Sequence, residues 1–163
     1  MSQTKLLFLC HGNICRSPMA EFVMRYLAEQ AGIADRFLIA SAAVSSEEIG
    51  NDIYPPAQRK LREKGIPFSA HAARRVTPDD YAFFDYLICA DRSNLRWLER
   101  IVGPDTDHKV SLLMSWPQMA NLQSPISNVE DARDVFDPWY SGDFETAYRD
   151  IFTACSAMLK LLA

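Results

Sequence analysis

Two residues that could perform chemistry together stand six positions apart near the start of the chain, Cys10 and Arg16. A thiolate is a strong nucleophile and a protonated thiol is not, so a catalytic cysteine needs surroundings that favour the anion. Backbone amides that converge at a helix N-terminus favour it, and the same amides bind a phosphate dianion. A planar guanidinium pairs with two phosphate oxygens at once. The spacing therefore indicates phosphoryl transfer through a cysteine.

The residues around this pair predict a strand, a tight loop and a helix. An apolar run over residues 5–9 precedes Cys10, and Gly12 can adopt the backbone angles that a tight loop needs. We expect Ser17 to be the N-cap and Pro18 the first helical residue. The loop amides that would bind phosphate belong to His11, Gly12, Asn13, Ile14 and Cys15.

The rest of the chain alternates between strand-like and helical segments. Apolar runs of strand length occupy residues 6–9, 37–40, 86–89 and 109–113. Helical segments are expected from about Pro56 to Gly65, from Thr77 onward, and from about Asp143 to Leu162. This order predicts an α/β fold: a single-domain, doubly wound, four-stranded parallel sheet over residues 1–163, with helices on both faces and the phosphate-binding loop after strand 1.

Composition excludes several classes of function. The chain has 163 residues, 48% hydrophobic content and a net charge of −4, which suits one domain with a substantial core. This net negative charge gives no sign of the basic surface that binding to nucleic acid or to an anionic membrane requires. No basic leader and no apolar run of bilayer length is visible, so a cytoplasmic location is expected.

The loop and several later segments resemble the low-molecular-weight protein tyrosine phosphatase family. The loop has the family's cysteine, five residues, arginine and serine, with glycine two places after the cysteine. Further segments occur in the family's order: Ser41-Ala42, residues 70–74, residues 84–91, residues 93–95 and Asp137-Pro138-Trp139-Tyr140. The resemblance implies hydrolysis of protein phosphotyrosine and small aryl phosphates through a phosphocysteine, by a monomer or weak dimer without metal or organic cofactor.

The reaction also needs a general acid, because the phenolate of tyrosine leaves poorly unless it is protonated. On the sequence alone, three other aspartates compete with Asp137: Asp131, Asp134 and Asp143. Resemblance to the family's Asp-Pro-aromatic-Tyr pattern selects Asp137, which would donate a proton and then, as a carboxylate, activate water. Trp139 and Tyr140 would line the slot for the substrate ring, and Trp139 departs from the family's usual tyrosine.

Resemblance further implies a hydrogen-bonded support around the loop, formed by Asn13, Ser17, Ser41 and His71. The serine hydroxyl nearest Cys10 would ease ionisation and departure of the thiol. A simpler interpretation leaves His71 as a satisfied histidine near a strand edge and Ser17 as a helix cap only. The cap and catalytic roles of Ser17 are compatible.

The other three cysteines have structural interpretations. Cys15 is either a small packing residue or a redox partner that captures oxidised Cys10 as a disulfide. Cys89 lies in an apolar strand and Cys155 on a helical core face, so both are expected in the core. No closely spaced set of Cys and His completes a zinc site, and no metal is expected.

One departure from the family concerns the loop after the second strand, where an aromatic wall is usual and this chain has Ser45, Ser46, Glu47 and Glu48. An acidic rim would disfavour acidic sequences beside the phosphotyrosine. We therefore hypothesise a preference for neutral or basic contexts, with Tyr54 or Trp139 supplying aromatic contact. The alternative is that both glutamates simply face solvent.

Three rival functions share parts of the pattern. Thiol-dependent arsenate reductases have this fold and loop but relay a disulfide through a further cysteine pair, and Cys89 has no cysteine near it in the chain. A non-catalytic phosphotyrosine binder would not need nucleophile, arginine and acid together. The third rival is a loop that binds an anion for a structural purpose, without catalysis.

Two further questions stay open on the sequence alone: whether the substrate is of the phosphoarginine type, and whether Tyr140 is phosphorylated.

Overall fold

A parallel sheet forms the centre of the computed structural model, which describes residues 2–120 and 132–163. Within these residues four strands pair in the order β2-β1-β3-β4, all parallel. Their bounds are β1 Thr4–Cys10, β2 Phe37–Ala43, β3 Tyr86–Cys89 and β4 Val110–Leu112. The expected four-stranded parallel sheet is confirmed. β2 runs three residues past the expected residue 40, since Ser41, Ala42 and Ala43 continue to pair with the end of β1.

Helices connect and cover the strands. Their bounds in the described residues are α1 Arg16–Gln30, α2 Pro55–Glu63, α3 Pro78–Phe83, α4 Arg92–Val102, α5 Ser115–Ala120, α6 Pro138–Ser141 and α7 Phe144–Leu162. The three helices expected after residue 50 are thus α2, α3 and α7. Thr77 caps α3 in a capping box with Asp80, and the Asp143 side chain accepts a hydrogen bond from Thr146 N at 2.9 Å at the start of α7.

Both faces of the sheet are covered, as the sequence predicts. Leu6 and Phe8 of β1 belong to a buried cluster that includes residues of α1 and α7. Leu7 and Leu9 point to the other face, where they join a second cluster with Leu98 of α4. This alternation follows from the two-residue period of a strand, and it buries residues 6–10 of β1 on both faces.

The start of α1 differs from the expectation. The helix begins at Arg16, with Cys15 rather than Ser17 in the N-cap position and no side-chain cap hydrogen bond. The hydroxyl of Ser17 is instead engaged by Cys10 and Asn13. Pro18 falls inside the first turn, where its missing N–H costs no helical hydrogen bond. Ser17 as N-cap was therefore wrong, because contacts with the loop outcompete local capping.

Among the helices of residues 2–120 and 132–163, none is both long enough and apolar enough to cross a bilayer.

Candidate active site

The loop between β1 and α1 lies at the bottom of a pocket. Cys10 is 2% exposed, and Arg16 closes the loop with the same exposure. Asn13 adopts a left-handed φ of 61°, which asparagine tolerates better than most residues. The pocket is lined by Cys10, His11, Gly12, Ile14, Cys15, Arg16, Glu47, Glu48, Asp137, Trp139 and Tyr140. Loop and distant segments thus meet in one cavity.

The sulfur of Cys10 receives two hydrogen-bonding groups from one residue. Ser17 Oγ lies 3.0 Å from Cys10 Sγ, and the backbone N–H of Ser17 donates to the same sulfur at 3.4 Å. Donors directed at a sulfur favour its anionic form. The site therefore provides what a nucleophilic thiolate requires.

Arg16 forms two hydrogen bonds and one longer ion pair with oxygen atoms around it. Its Nη1 donates to Asp91 Oδ2 at 2.7 Å and to the carbonyl of Val135 at 2.6 Å, and its Nη2 lies 3.5 Å from Asp137 Oδ2. Burial by itself lowers the pKa of Arg16, but the negative charges of Cys10, Asp91 and Asp137 outweigh burial and raise the pKa. The guanidinium is therefore a fixed positive charge inside the pocket.

Asp137 stands at the N-terminus of the short helix α6. Its Oδ1 accepts from Trp139 N at 3.0 Å, and its side chain is 23% exposed. Two of its competitors are engaged elsewhere: Asp134 pairs with Arg92 at 3.0 Å, and Asp143 caps α7. Asp131 lies outside the described residues. Among the described aspartates, Asp137 is the one that lines the pocket with Cys10.

A buried network centred on Asn13 supports the loop. Asn13 Nδ2 donates to Ser17 Oγ at 2.8 Å and to Ser41 Oγ at 3.0 Å, while its Oδ1 accepts from Arg74 N at 3.2 Å. His71 Nε2 lies 2.7 Å from the carbonyl oxygen of Asn13. The structure thus brings together all four residues of the expected support, and His71 contacts the loop rather than a strand edge alone.

Two carboxylates of the site were missed by the sequence analysis. Glu21 is 8% exposed, accepts from Ser41 Oγ at 2.6 Å and pairs with Arg25 at 2.9 Å. Its four-residue spacing to Arg25 on α1 was a usable signal. Asp91 holds Arg16 through Oδ2 and caps α4 through Oδ1. It follows the carboxyl end of β3, where sites in parallel sheets gather.

Acidic side chains stand at the mouth of the pocket. Glu47 is 67% exposed in its side chain and its Oε2 lies 2.9 Å from His11 Nε2. Glu48 Oε2 accepts from Asn51 Nδ2 at 2.6 Å. A Cβ on Gly12 would come within 3.2 Å of Glu48 Cγ, so glycine permits this close approach. Both glutamates line the pocket, so they do more than face solvent.

Aromatic side chains also line the pocket. Trp139 and Tyr140 both line the pocket and are 48% and 84% exposed. The Trp139 ring packs on Tyr54 with ring centroids 4.5 Å apart. Tyr54 and Trp139 thus pack together as one aromatic surface. These are the two residues expected to supply the aromatic contact that the loop after β2 lacks.

The other cysteines are buried and free. Cys89 and Cys155 are fully buried, and burial raises the pKa of each thiol well above its usual range. The core location expected for both is confirmed. Burial, followed by the charge of Cys10, also raises the pKa of Cys15, which is 5% exposed. A redox partnership of Cys15 with Cys10 stays a prediction.

In the part of the chain that is described, no group of three or more His, Cys, Asp or Glu side chains is arranged to bind a metal ion.

Comparison with known proteins agrees with this geometry. The family model for low molecular weight phosphotyrosine protein phosphatase matches residues 5–163. A phosphatase of that name from Homo sapiens is 39% identical over 159 residues, covering 95% of this chain and 93% of the relative. The crystal structure of YfkJ from Bacillus subtilis has a TM-score of 0.87 at 35% identity, covering 99% of this chain and 96% of that one.

A further solved structure carries a different substrate in its name. The crystal structure of DARP, drosophila arginine phosphatase, has a TM-score of 0.80 at 30% identity, with 97% of each chain covered. The family model and the relatives named above extend over nearly the whole chain. The chain therefore belongs to the low molecular weight phosphotyrosine protein phosphatase family.

Proposed function

We propose that this protein hydrolyses protein phosphotyrosine and small aryl phosphates through a phosphocysteine, as one phosphatase domain over residues 1–163. The observation that carries the proposal is the meeting of three groups in one pocket: the thiol of Cys10, the guanidinium of Arg16 and the carboxyl of Asp137. Nucleophile, anion binder and proton donor are the minimum that aryl phosphate hydrolysis through a covalent intermediate requires.

The first step transfers the phosphoryl group to sulfur. The Cys10 thiolate attacks phosphorus, the S–P bond forms, and the P–O bond to the phenol breaks. The protonated carboxyl of Asp137 gives its proton to the departing oxygen, so the phenol leaves neutral. Arg16 and the loop amides of residues 11–15 bind the phosphoryl oxygens, whose charge is spread in the transition state.

The second step returns the enzyme to its starting state. The Asp137 carboxylate takes a proton from water, the water oxygen attacks phosphorus, and the S–P bond breaks with release of inorganic phosphate. The sulfur leaves as a thiolate. The hydroxyl and the backbone N–H of Ser17, at 3.0 and 3.4 Å from that sulfur, support its departure as an anion.

The walls of the pocket suit an aryl substrate with a neutral or basic context. Trp139, backed by Tyr54, and Tyr140 offer aromatic surface to a phosphotyrosine ring. Glu47 and Glu48 place negative charge at the mouth, which repels acidic residues that flank the phosphotyrosine.

The proposed partners are phosphotyrosine-containing proteins or small aryl phosphates, met in the cytoplasm by a monomer or weak dimer. Nucleic acid and membranes are not among the proposed partners, which the net charge of −4 supports. Sedimentation analysis over a range of protein concentrations tests the oligomeric state.

The test of this function is a comparison of substrates under one set of conditions. Phosphotyrosine, phosphoserine and phosphoarginine are supplied in turn to wild type and to Cys10→Ser, with arsenate-dependent thiol oxidation as a parallel reaction. We expect release of phosphate from phosphotyrosine by wild type only. A preference for phosphoarginine, the substrate class in the name of the drosophila structure, would replace the proposed substrate.

Rapid quenching during turnover provides the direct evidence for the intermediate. Mass spectrometry of the quenched protein should find one phosphoryl group on the peptide that contains Cys10. Absence of phosphorus there, together with turnover by Cys10→Ser, would overturn the proposed mechanism.

A further inference from the structure

An ion pair between two residues outside the pocket lining joins the two ends of the segment that carries Asp137. Arg133 Nη1 donates to Asp150 Oδ2 at 2.7 Å, and Arg133 Nη2 donates to Asp150 Oδ1, so the contact is bidentate. The two residues are 17 positions apart. Asp137, Trp139 and Tyr140 all lie between them.

The two members of this pair differ strongly in exposure. The Asp150 side chain, on α7, is 7% exposed, whereas the Arg133 side chain is 51% exposed. A carboxylate removed from water is stabilised chiefly by a well-placed charged partner. Asp150 is thus fixed by the packing of α7, and Arg133 is the residue whose position it determines.

The residues after Arg133 are attached to the site at two more points. Asp134 Oδ1 accepts from the Arg92 side chain at 3.0 Å and from the Arg92 backbone at 3.1 Å. Val135 N donates to Ala90 O at 2.9 Å, and Val135 O accepts from Arg16. Residues 133–135 are therefore held between α7, α4 and the catalytic arginine, two positions before Asp137.

We propose that Asp150, acting through Arg133, is a positioning residue that holds the carboxyl of Asp137 in line with the leaving oxygen of the substrate. This inference rests on the proposed role of Asp137 as the general acid. Asp150 itself is not among the residues that line the pocket, and within the described residues its side chain hydrogen-bonds to Arg133 and not to Arg16.

Proton donation is the step that depends most on this positioning. A donor must come within hydrogen-bond distance of the leaving oxygen, and small displacements of such groups cost large factors in rate. Attack by sulfur and binding by the loop amides do not involve residues 133–150, apart from the contacts of Arg16 with Val135 O and with Asp137 Oδ2. Loss of the ion pair should therefore weaken acid catalysis more than phosphate binding.

The experiment measures kcat/KM for aryl phosphates whose leaving phenols differ in pKa, from p-nitrophenyl to phenyl phosphate. For Arg133→Ala and Asp150→Asn we expect a loss of about tenfold with the basic phenol and less than about twofold with the acidic one. Because the same segment carries Trp139 and Tyr140, which line the pocket, any change in KM should be the same for both substrates. Arg133→Lys, which keeps the charge but not the bidentate geometry, should recover part of the loss.

Glu145→Gln is the matched control, since Glu145 also lies on α7 and forms ion pairs with Lys60 and Lys64. We expect it to leave the leaving-group dependence unchanged. Calorimetric unfolding of each variant measures any general loss of stability. Equal losses across all phenols in Arg133→Ala and Asp150→Asn would overturn the positioning role.

Asp137→Asn, measured on the same phosphates, separates the positioning role of Asp150 from the acid role of Asp137. A steep leaving-group dependence in Asp137→Asn without one in the ion-pair variants refutes the role of Asp150 and leaves the proposed function intact. A uniform loss in Asp137→Asn removes Asp137 as the acid, and this inference falls with it.

Discussion

The hydroxyl oxygen of Ser17 lies 3.0 Å from the sulfur of Cys10. The amide of Asn13 donates to that same oxygen at 2.8 Å. Because Asn13 occupies an acceptor position on the hydroxyl, the proton of Ser17 is available to point at the sulfur. The network thus has a direction, from Asn13 through Ser17 to Cys10, and it favours negative charge at its end.

Removal of this hydroxyl should slow the chemistry of the sulfur. A hydrogen bond to a charged group contributes about 1.5–3 kcal/mol, so Ser17→Ala should lower kcat about 10- to 150-fold. Alkylation of Cys10 by iodoacetate at neutral pH should slow in parallel, since only the thiolate reacts.

Ser115→Ala is the control for Ser17→Ala. Ser115 is fully buried and its hydroxyl donates to Leu112 O at 2.6 Å, outside the pocket. We expect kcat and alkylation of this variant to match wild type. Equal rates of alkylation in Ser17→Ala and wild type would show that the hydroxyl does not stabilise the anion.

Asn13 combines two properties that different substitutions can separate. Its side chain makes the three hydrogen bonds described above, and its backbone has φ of 61°. Asn13→Gly loses the side-chain contacts but keeps access to positive φ, whereas Asn13→Ala loses both. We expect both variants to be less stable than wild type, and Asn13→Ala to be the less stable of the two by about 1 kcal/mol.

Urea unfolding of the two Asn13 variants measures this difference. His71→Ala provides a comparison, because it removes a contact with the Asn13 carbonyl and leaves the residue type at position 13 unchanged. Equal stabilities of Asn13→Gly and Asn13→Ala would mean that the left-handed backbone stores no strain.

Local parts of the site could be predicted from the sequence because their causes are local. The apolar run before Cys10, the glycine at position 12 and the six-residue spacing to Arg16 together specify a strand, a loop and an anion binder. Asp137 is different, since nothing in its own neighbourhood shows that it meets Cys10. Only resemblance to a family pattern selected it from four aspartates.

What the sequence did not predict depends on contacts between distant segments. Ser17 looked like a helix cap because capping propensity is local, but Cys10 and Asn13 engage its hydroxyl. The pair of Arg133 and Asp150 has no local signature, as both are ordinary charged residues until α7 buries one of them. Long-range packing decided these cases.

Asp80 makes the stability of the protein depend on pH. Burial by itself raises the pKa of Asp80, but hydrogen bonds from Arg74 and Thr77 outweigh burial and hold the pKa below its usual value. Both oxygens of Asp80 accept from the Arg74 guanidinium, at 2.9 and 3.1 Å. The backbone N–H of Arg74 in turn contacts Asn13, so this ion pair also supports the phosphate-binding loop.

The sign of the pH effect follows from the lowered pKa of Asp80. A group whose pKa is lower in the folded state contributes stability above its unfolded pKa, about 3.9 for Asp, and loses it as the pH falls through the folded value. We expect Asp80→Asn to lower the free energy of unfolding by about 1 kcal/mol at pH 7. The difference from wild type should shrink as the pH falls below about 4.

Denaturant unfolding at several pH values tests this linkage. Asp79→Asn is the control, because Asp79 lies in the same first turn of α3 and forms no ion pair within residues 2–120 and 132–163. We expect it to change the unfolding free energy by less than half as much. A difference between Asp80→Asn and wild type that stays constant down to acid pH would exclude Asp80 as the source.

The carboxylates at the mouth of the pocket predict a charge preference among substrates. Glu47 and Glu48 line the pocket, and we expect residues that flank a bound phosphotyrosine to pass near them. Exposed charge pairs contribute up to about 1 kcal/mol each, so kcat/KM for a basic phosphopeptide should exceed that for a matched acidic one by about fivefold or more. Glu47→Gln with Glu48→Gln should remove most of this ratio.

Two controls, added salt and a substitution of a glutamate outside the pocket, distinguish this charge effect from a general change in the enzyme. Because exposed charges are screened over about 8–10 Å at physiological ionic strength, the ratio between the two peptides should fall as salt is added. Glu63→Gln removes an acidic residue of α2 that pairs with Lys60 and does not line the pocket. It should leave the ratio unchanged. Equal kcat/KM for both peptides at low salt, or faster turnover of the acidic one, would show that the two glutamates do not select substrates.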